Sequence, residues 1–207
     1  MRAGHPGRCR PASAFQATVK RLWLVRHPPV AVPPGICYGR TDVALAAPPD
    51  AMAAALNACL PENFSLLSSP LQRCAELARL LHPAPHFDAR LQEIDFGAWE
   101  MQPYDGLPRA DIDRWAADVW GFRPPGGESA SDMARRVDAA WAEHAEHVQV
   151  VVAHGGPLRV IAGRLLGLPQ PAWLDIACPQ GGWIELRRDG LNWQQVGQTA
   201  REVRSGQ

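Results

Sequence analysis

A chain of 207 residues is long enough for one domain whose core needs neither disulfides nor metal. Its 21 acidic and 21 basic side chains cancel, so no global field draws it to nucleic acid or to an anionic membrane, and any affinity for phosphate has to come from local clustering. Five cysteines without a CxxC pair form no disulfide framework, which makes a reducing, cytoplasmic setting the expectation.

In chain order, residues 1–19 carry Arg2, Arg8, Arg10, Pro6 and Pro11 but no apolar run for a secretory signal, and read as a disordered tail ahead of a single domain over 20–207. Nothing in the chain approaches the roughly 18 apolar residues of a membrane span. Leu22 to Val25 is a short apolar strand closed by Arg26 and His27. Residues 28–49, rich in proline and glycine, read as a long loop. A helix is expected from Asp50 to Leu60, a buried strand from Phe64 to Leu67, and a second helix from Pro70 to Leu81 with Ser68 or Ser69 as its cap. Residues 82–127 are broken by prolines and read as an insertion over the sheet, with weak strands near 86–94 and a helix near 108–118. Ser129 or Ser131 opens a long helix to His147. Val148 to Ala153 is a second strongly apolar strand, and it too ends in histidine, His154. Gly155 and Gly156 follow, Pro157 opens a helix to Leu166, and Trp183 to Arg187 with Asn192 to Val196 form a closing hairpin. The alternation of strands and helices predicts an α/β fold: a three-layer αβα sandwich around a mostly parallel sheet.

Ligands of such sheets bind beyond the carboxyl ends of the strands. There the sequence sets Arg26-His27, Ser68-Ser69 leading to Arg73, and His154, a cationic group suited to an anion such as phosphate. Each residue has a plainer reading: Arg73 as a solvated helix residue, His154 as a satisfied core histidine. Glu93, Asp95 and Glu100 lie between them in LQEIDFGAWE, and one of the three is expected to project into the site. The spacings do not support a bound metal, since HExxH and close DxD pairs are absent and His144 and His147 sit beside Glu143 and Glu146 on what reads as a solvated helix end. No GxSxG elbow offers a serine nucleophile, which leaves histidine.

Taken in order, LVRH at 24–27, SSPLQRC at 68–74, LQEIDFGAWE at 91–100, PPGGES at 124–129 and VVAHGGPLR at 151–159 resemble the histidine phosphatase superfamily, with its phosphoglycerate mutase-like fold. CYGRTDVAL at 37–45, EIDFGAWE and PPGGES are most similar to bacterial α-ribazole phosphatases. The resemblance implies a cofactor-independent phosphomonoesterase acting on a small phosphorylated substrate. It gives His27 the role of nucleophile, Arg26, Arg73 and His154 a hold on the phosphoryl oxygens, and Glu93 that of proton donor and acceptor. Arg40 and the Gly155 backbone are added as substrate contacts. A broad sugar-phosphate or phosphohistidine-protein phosphatase, and a noncatalytic phosphate-binding module, stay open as alternatives, as does a homo-oligomeric state. The chain departs from the family at Pro28, Pro29 and Pro33, the last standing where many members place a phosphate-binding asparagine; proline supplies no donor, so a replacement is expected, with Arg40 the first candidate.

Overall fold

The computed structural model describes residues 20–198; the expectation of a disordered tail over 1–19 lies outside them. Six strands form one sheet: β1 (Lys20–Arg26), β2 (Leu66–Ser68), β3 (His86–Phe87), β4 (Val150–Ala153), β5 (Trp183–Asp189) and β6 (Asn192–Gln198), in the order β3-β2-β4-β1-β5-β6. β3, β2, β4 and β1 run parallel, and the β5–β6 hairpin adds β5 antiparallel to β1. Because side chains alternate across a strand, each apolar strand feeds both faces. Trp23, Val25, Val150 and Val152 pack under α1 (Asp50–Asn57) and α2 (Gln72–Leu81). Leu22, Leu24, Val151 and Ala153 pack on the opposite face against α4 (Ala130–His144) and α5 (Gly155–Leu165). These are the three layers that strand and helix alternation predicts. Among the described residues, no helix is long and apolar enough to cross a membrane.

The differences from the sequence reading have local causes. α1 stops at Asn57, three residues early, ahead of Pro61. Neither Ser68 nor Ser69 caps α2; its N-cap is Leu71, while Ser69 Oγ accepts from the Leu71 N–H at 3.4 Å and is otherwise drawn to His154. The strands expected near 86–94 shrink to His86–Phe87, because the Asp88 carboxylate accepts the Arg90 N–H and turns the chain into a 3-10 turn at Ala89–Leu91. Ser129 does cap α4, in a reciprocal capping box with Asp132, but the helix ends at His144 instead of His147. α3 (Arg109–Ala117) sits where a helix was expected. Around it Trp99, Leu107, Phe96, Ile112, Trp115 and Phe122 close over Cys37 of the long loop as a separate small core.

Candidate active site

β1 and β4 are neighbours and β2 lies beyond β4, with Arg26 opposite Ala153 and Val152 opposite Ser68. Parallel strands in that register finish level, so the residues leaving their ends meet: His27 after β1, Ser69 after β2, His154 after β4. The His27 and His154 rings stand 5.2 Å apart.

His27 is 1% exposed. Its Nδ1 lies 2.7 Å from the carbonyl oxygen of Pro28, which can only accept, so the ring proton resides on Nδ1 and the lone pair on Nε2. Burial above all, opposed by the Pro28 carbonyl and helped by the Arg26 and Arg73 cations, holds its pKa down at about 3. The imidazole is a neutral base with Nε2 unprotonated, the form a nucleophile needs.

His154 is fully buried and differently held. Arg73 Nε donates to its Nδ1 at 3.2 Å, which places the ring proton on Nε2, 2.8 Å from Ser69 Oγ. Burial first, then the Arg73 cation, keeps it well below the ordinary histidine range. Arg73, itself fully buried, also donates through Nη1 to the Thr41 carbonyl and through Nη2 to the Gly39 carbonyl, both at 2.7 Å. One guanidinium thus ties α2, the long loop and His154 together.

The three candidate carboxylates separate by what they touch. Glu100 accepts the N–H groups of Arg40, Thr41 and Phe96, stapling the long loop to the insertion. Gly39, at φ +37°, must be glycine there: a Cβ would collide with Glu100 and with the Ile94 carbonyl. Asp95 accepts the Gly97 N–H and pairs with Arg40. Glu93 remains, lining a cavity of 290 Å³ and accepting the Gly156 N–H at 3.3 Å. A Cβ on Gly156 would strike the Glu93 carboxylate, so the second glycine of the pair makes room for it.

Arg40, the sequence candidate for a phosphate or substrate contact, is ion-paired. Its guanidinium is 3.4 Å from Asp95 and 3.2 Å from Glu128, so its charge is already matched. Gly155 lies where expected, at the first turn of α5, with the Arg26 guanidinium against it. Pro33 is exposed in the long loop and lines no part of the cavity.

Two arginines gain importance that their sequence context did not announce. Arg136 of α4 donates to the carbonyls of Arg90, Gln92 and Glu93 at 2.7, 2.7 and 2.9 Å and pairs with Glu128, fixing the turn that carries Glu93. Arg159 of α5 lines the cavity beside Arg26 and Glu93. It closes the VVAHGGPLR block, and its spacing of four returns it to the helix face of Gly155. No carboxylate among the described residues lies within 4.0 Å of Arg26, Arg73 or Arg159. The remaining walls are apolar or aromatic: Tyr38, Ile94, Phe96, Tyr104, Trp115, Val119, Met133 and Leu174.

Known proteins resemble this chain over most of its length. The adenosylcobalamin/α-ribazole phosphatase of Escherichia coli K12 is 32% identical over 180 residues, covering 80% of this chain and 89% of that protein. Its Salmonella typhimurium counterpart is 29% identical over the same length and the same shares. The solved α-ribazole phosphatase of Shigella flexneri superposes with a TM-score of 0.75 at 27% identity, over 85% of this chain and 94% of that one. The family model of the histidine phosphatase superfamily (branch 1) matches residues 22–200, and with the phosphoglycerate mutase-like fold and the strand-end histidines in place, the chain belongs to that superfamily and is a phosphatase working through a histidine.

Proposed function

We propose that the chain hydrolyses a small phosphomonoester in two displacements at His27, and that α-ribazole 5′-phosphate is its substrate. The observation that carries the mechanism is the hydrogen bond from His27 Nδ1 to the Pro28 carbonyl, which presents a neutral Nε2 amid arginines without carboxylate partners. In the first step Nε2 attacks phosphorus, the ester P–O bond breaks, and Glu93 gives its proton to the departing alkoxide. In the second, water attacks the phosphohistidine, the P–N bond breaks, and Glu93 takes the proton back. Arg26 and Arg73 hold the phosphoryl oxygens, the Gly155 backbone adds a donor, and His154 keeps Arg73 in place through Nδ1.

Two observations support the substrate. The relatives named for α-ribazole phosphatase span most of both chains. The apolar and aromatic lining of the cavity over Glu93 suits a leaving group with a flat apolar heterocycle better than the hydroxyls of a simple sugar phosphate. We place the reaction in the cytoplasm, where cysteines such as Cys37, Cys74 and Cys178 remain thiols. The test compares kcat/KM for α-ribazole 5′-phosphate and for sugar monophosphates: a preference of about 100-fold or more is expected, and equal values assign the chain to broad phosphatases.

A further inference from the structure

The cationic charge around the cavity is matched unevenly. Arg40 and Arg136 share Glu128, and Arg40 also meets Asp95. Among the described residues, Arg26 and Arg159 are anchored only by backbone oxygens of one short segment: Arg26 Nη1 donates to the Cys178 carbonyl at 2.7 Å and Arg159 Nε to the Ile176 carbonyl at 3.0 Å. A carbonyl aims a guanidinium without cancelling its charge. The two groups also converge. A Cβ built on Gly155 would lie 3.1 Å from Arg159 Nη1 and 3.3 Å from Arg26 Cζ, so both guanidiniums border the same glycine at the start of α5. Arg26 Nε is buried with no hydrogen-bond partner among the described residues. Both arginines line the cavity that holds Glu93, and both line a second one of 470 Å³ beside the 174–179 segment. Two like charges fixed side by side, with forks still open, form a receptor for a compact dianion. Pro28, Pro29 and Pro33 supply no donor to such a group, and Arg40 is engaged elsewhere.

We propose that Arg159 is a ligand of the substrate phosphoryl group and clamps it together with Arg26. This rests on the reading of the site as a phosphomonoesterase. Gly155 leaves the two guanidiniums room to approach one phosphoryl group, and the 176–178 carbonyls hold the pair in place.

The experiment measures p-nitrophenyl phosphate hydrolysis, competitive inhibition by inorganic phosphate, and the rise in melting temperature that inorganic phosphate gives, for wild type, Arg159→Gln and Arg159→Lys. In Arg159→Gln the inhibition constant for phosphate is expected to rise about tenfold or more, with a comparable fall in kcat/KM and loss of most of the phosphate-induced thermal shift. Arg159→Lys, which keeps the charge but not the fork, should fall between, and it carries the test if the glutamine variant does not fold. Unchanged phosphate inhibition and an unchanged thermal shift in a folded variant overturn the proposal. So does a loss seen only with substrates bearing a second acidic group, which would assign Arg159 to the leaving group. If wild type binds phosphate through Arg159 yet hydrolyses no ester, the clamp stands and the phosphatase chemistry fails.

Discussion

His27 and His154 are the same residue type, 5.2 Å apart, and differ in what touches their ring nitrogens. A carbonyl on Nδ1 frees Nε2 of His27 for attack, whereas Arg73 and Ser69 occupy both nitrogens of His154. His27→Ala is therefore expected to abolish turnover, by at least about 1,000-fold, while His154→Asn should lower kcat through a loosened Arg73 and still form the phosphoenzyme. Steady-state rates with a rapid-quench measurement of bound phosphate check both. In kcat/KM, which reports phosphoryl transfer to His27, Glu93→Gln should lose on the order of 10²–10⁴-fold with an alkyl leaving group and much less with p-nitrophenolate, which departs without a proton. Equal losses would remove Glu93 from the acid role. Histidine, arginine and the EIDFGAWE block were readable from the chain, but the choice of Glu93 over Asp95 and Glu100 came from the family resemblance and not from the spacing of the residues. That choice depends on Glu100 and Asp95 being consumed by loop N–H groups and Arg40, contacts between segments far apart in sequence.

At the scale of elements, the site is a junction of helix starts and loop ends held by arginines. Arg136 reaches out of α4 to three carbonyls of the 90–93 turn, so its loss frees the backbone beneath Glu93. In kcat/KM, Arg136→Ala is expected to repeat the leaving-group pattern of Glu93→Gln at smaller amplitude, about tenfold with alkyl esters and little with p-nitrophenyl phosphate. A uniform loss with both substrates would show a general structural effect instead. Gly156→Ala should displace Glu93 from the first turn of α5 and give the same signature. The long regular helices and the two apolar strands were legible because periodic burial writes itself into sequence. The 86–94 region was not, since alternating Ile94 and Phe96 resemble a strand while the Asp88 side chain has already bent the backbone into a turn. The ion pairs of Arg40 were hidden for a similar reason: Asp95 and Glu128 reach it only from distant segments of the chain.

For the whole molecule, the order β3-β2-β4-β1 brings the residues after β1, β2 and β4 to one edge, and that convergence follows from the parallel strand-helix-strand connections the sequence pattern announces. Burying two neutral histidines there has a cost that depends on pH. With His27 held near 3 against an ordinary value of about 6.5, the unfolded chain binds the extra proton between those values. The contribution is fully present above pH 6.5 and is lost as pH falls toward 3, roughly 2 kcal/mol by pH 5 from this group alone. Urea midpoints at pH 7.5 and pH 5 should show wild type losing more stability than His27→Asn by about that amount; identical losses would contradict the neutral buried state. The central claim is that phosphorus passes through His27 on its way from ester to water. Mixing the protein with phosphorus-labelled p-nitrophenyl phosphate and quenching within milliseconds in base, where phosphohistidine survives, tests it most directly. The label is expected on the wild-type peptide that contains His27, accumulating in Glu93→Gln and absent from His27→Ala; equal labelling of His27→Ala, or label on another residue, would contradict the account.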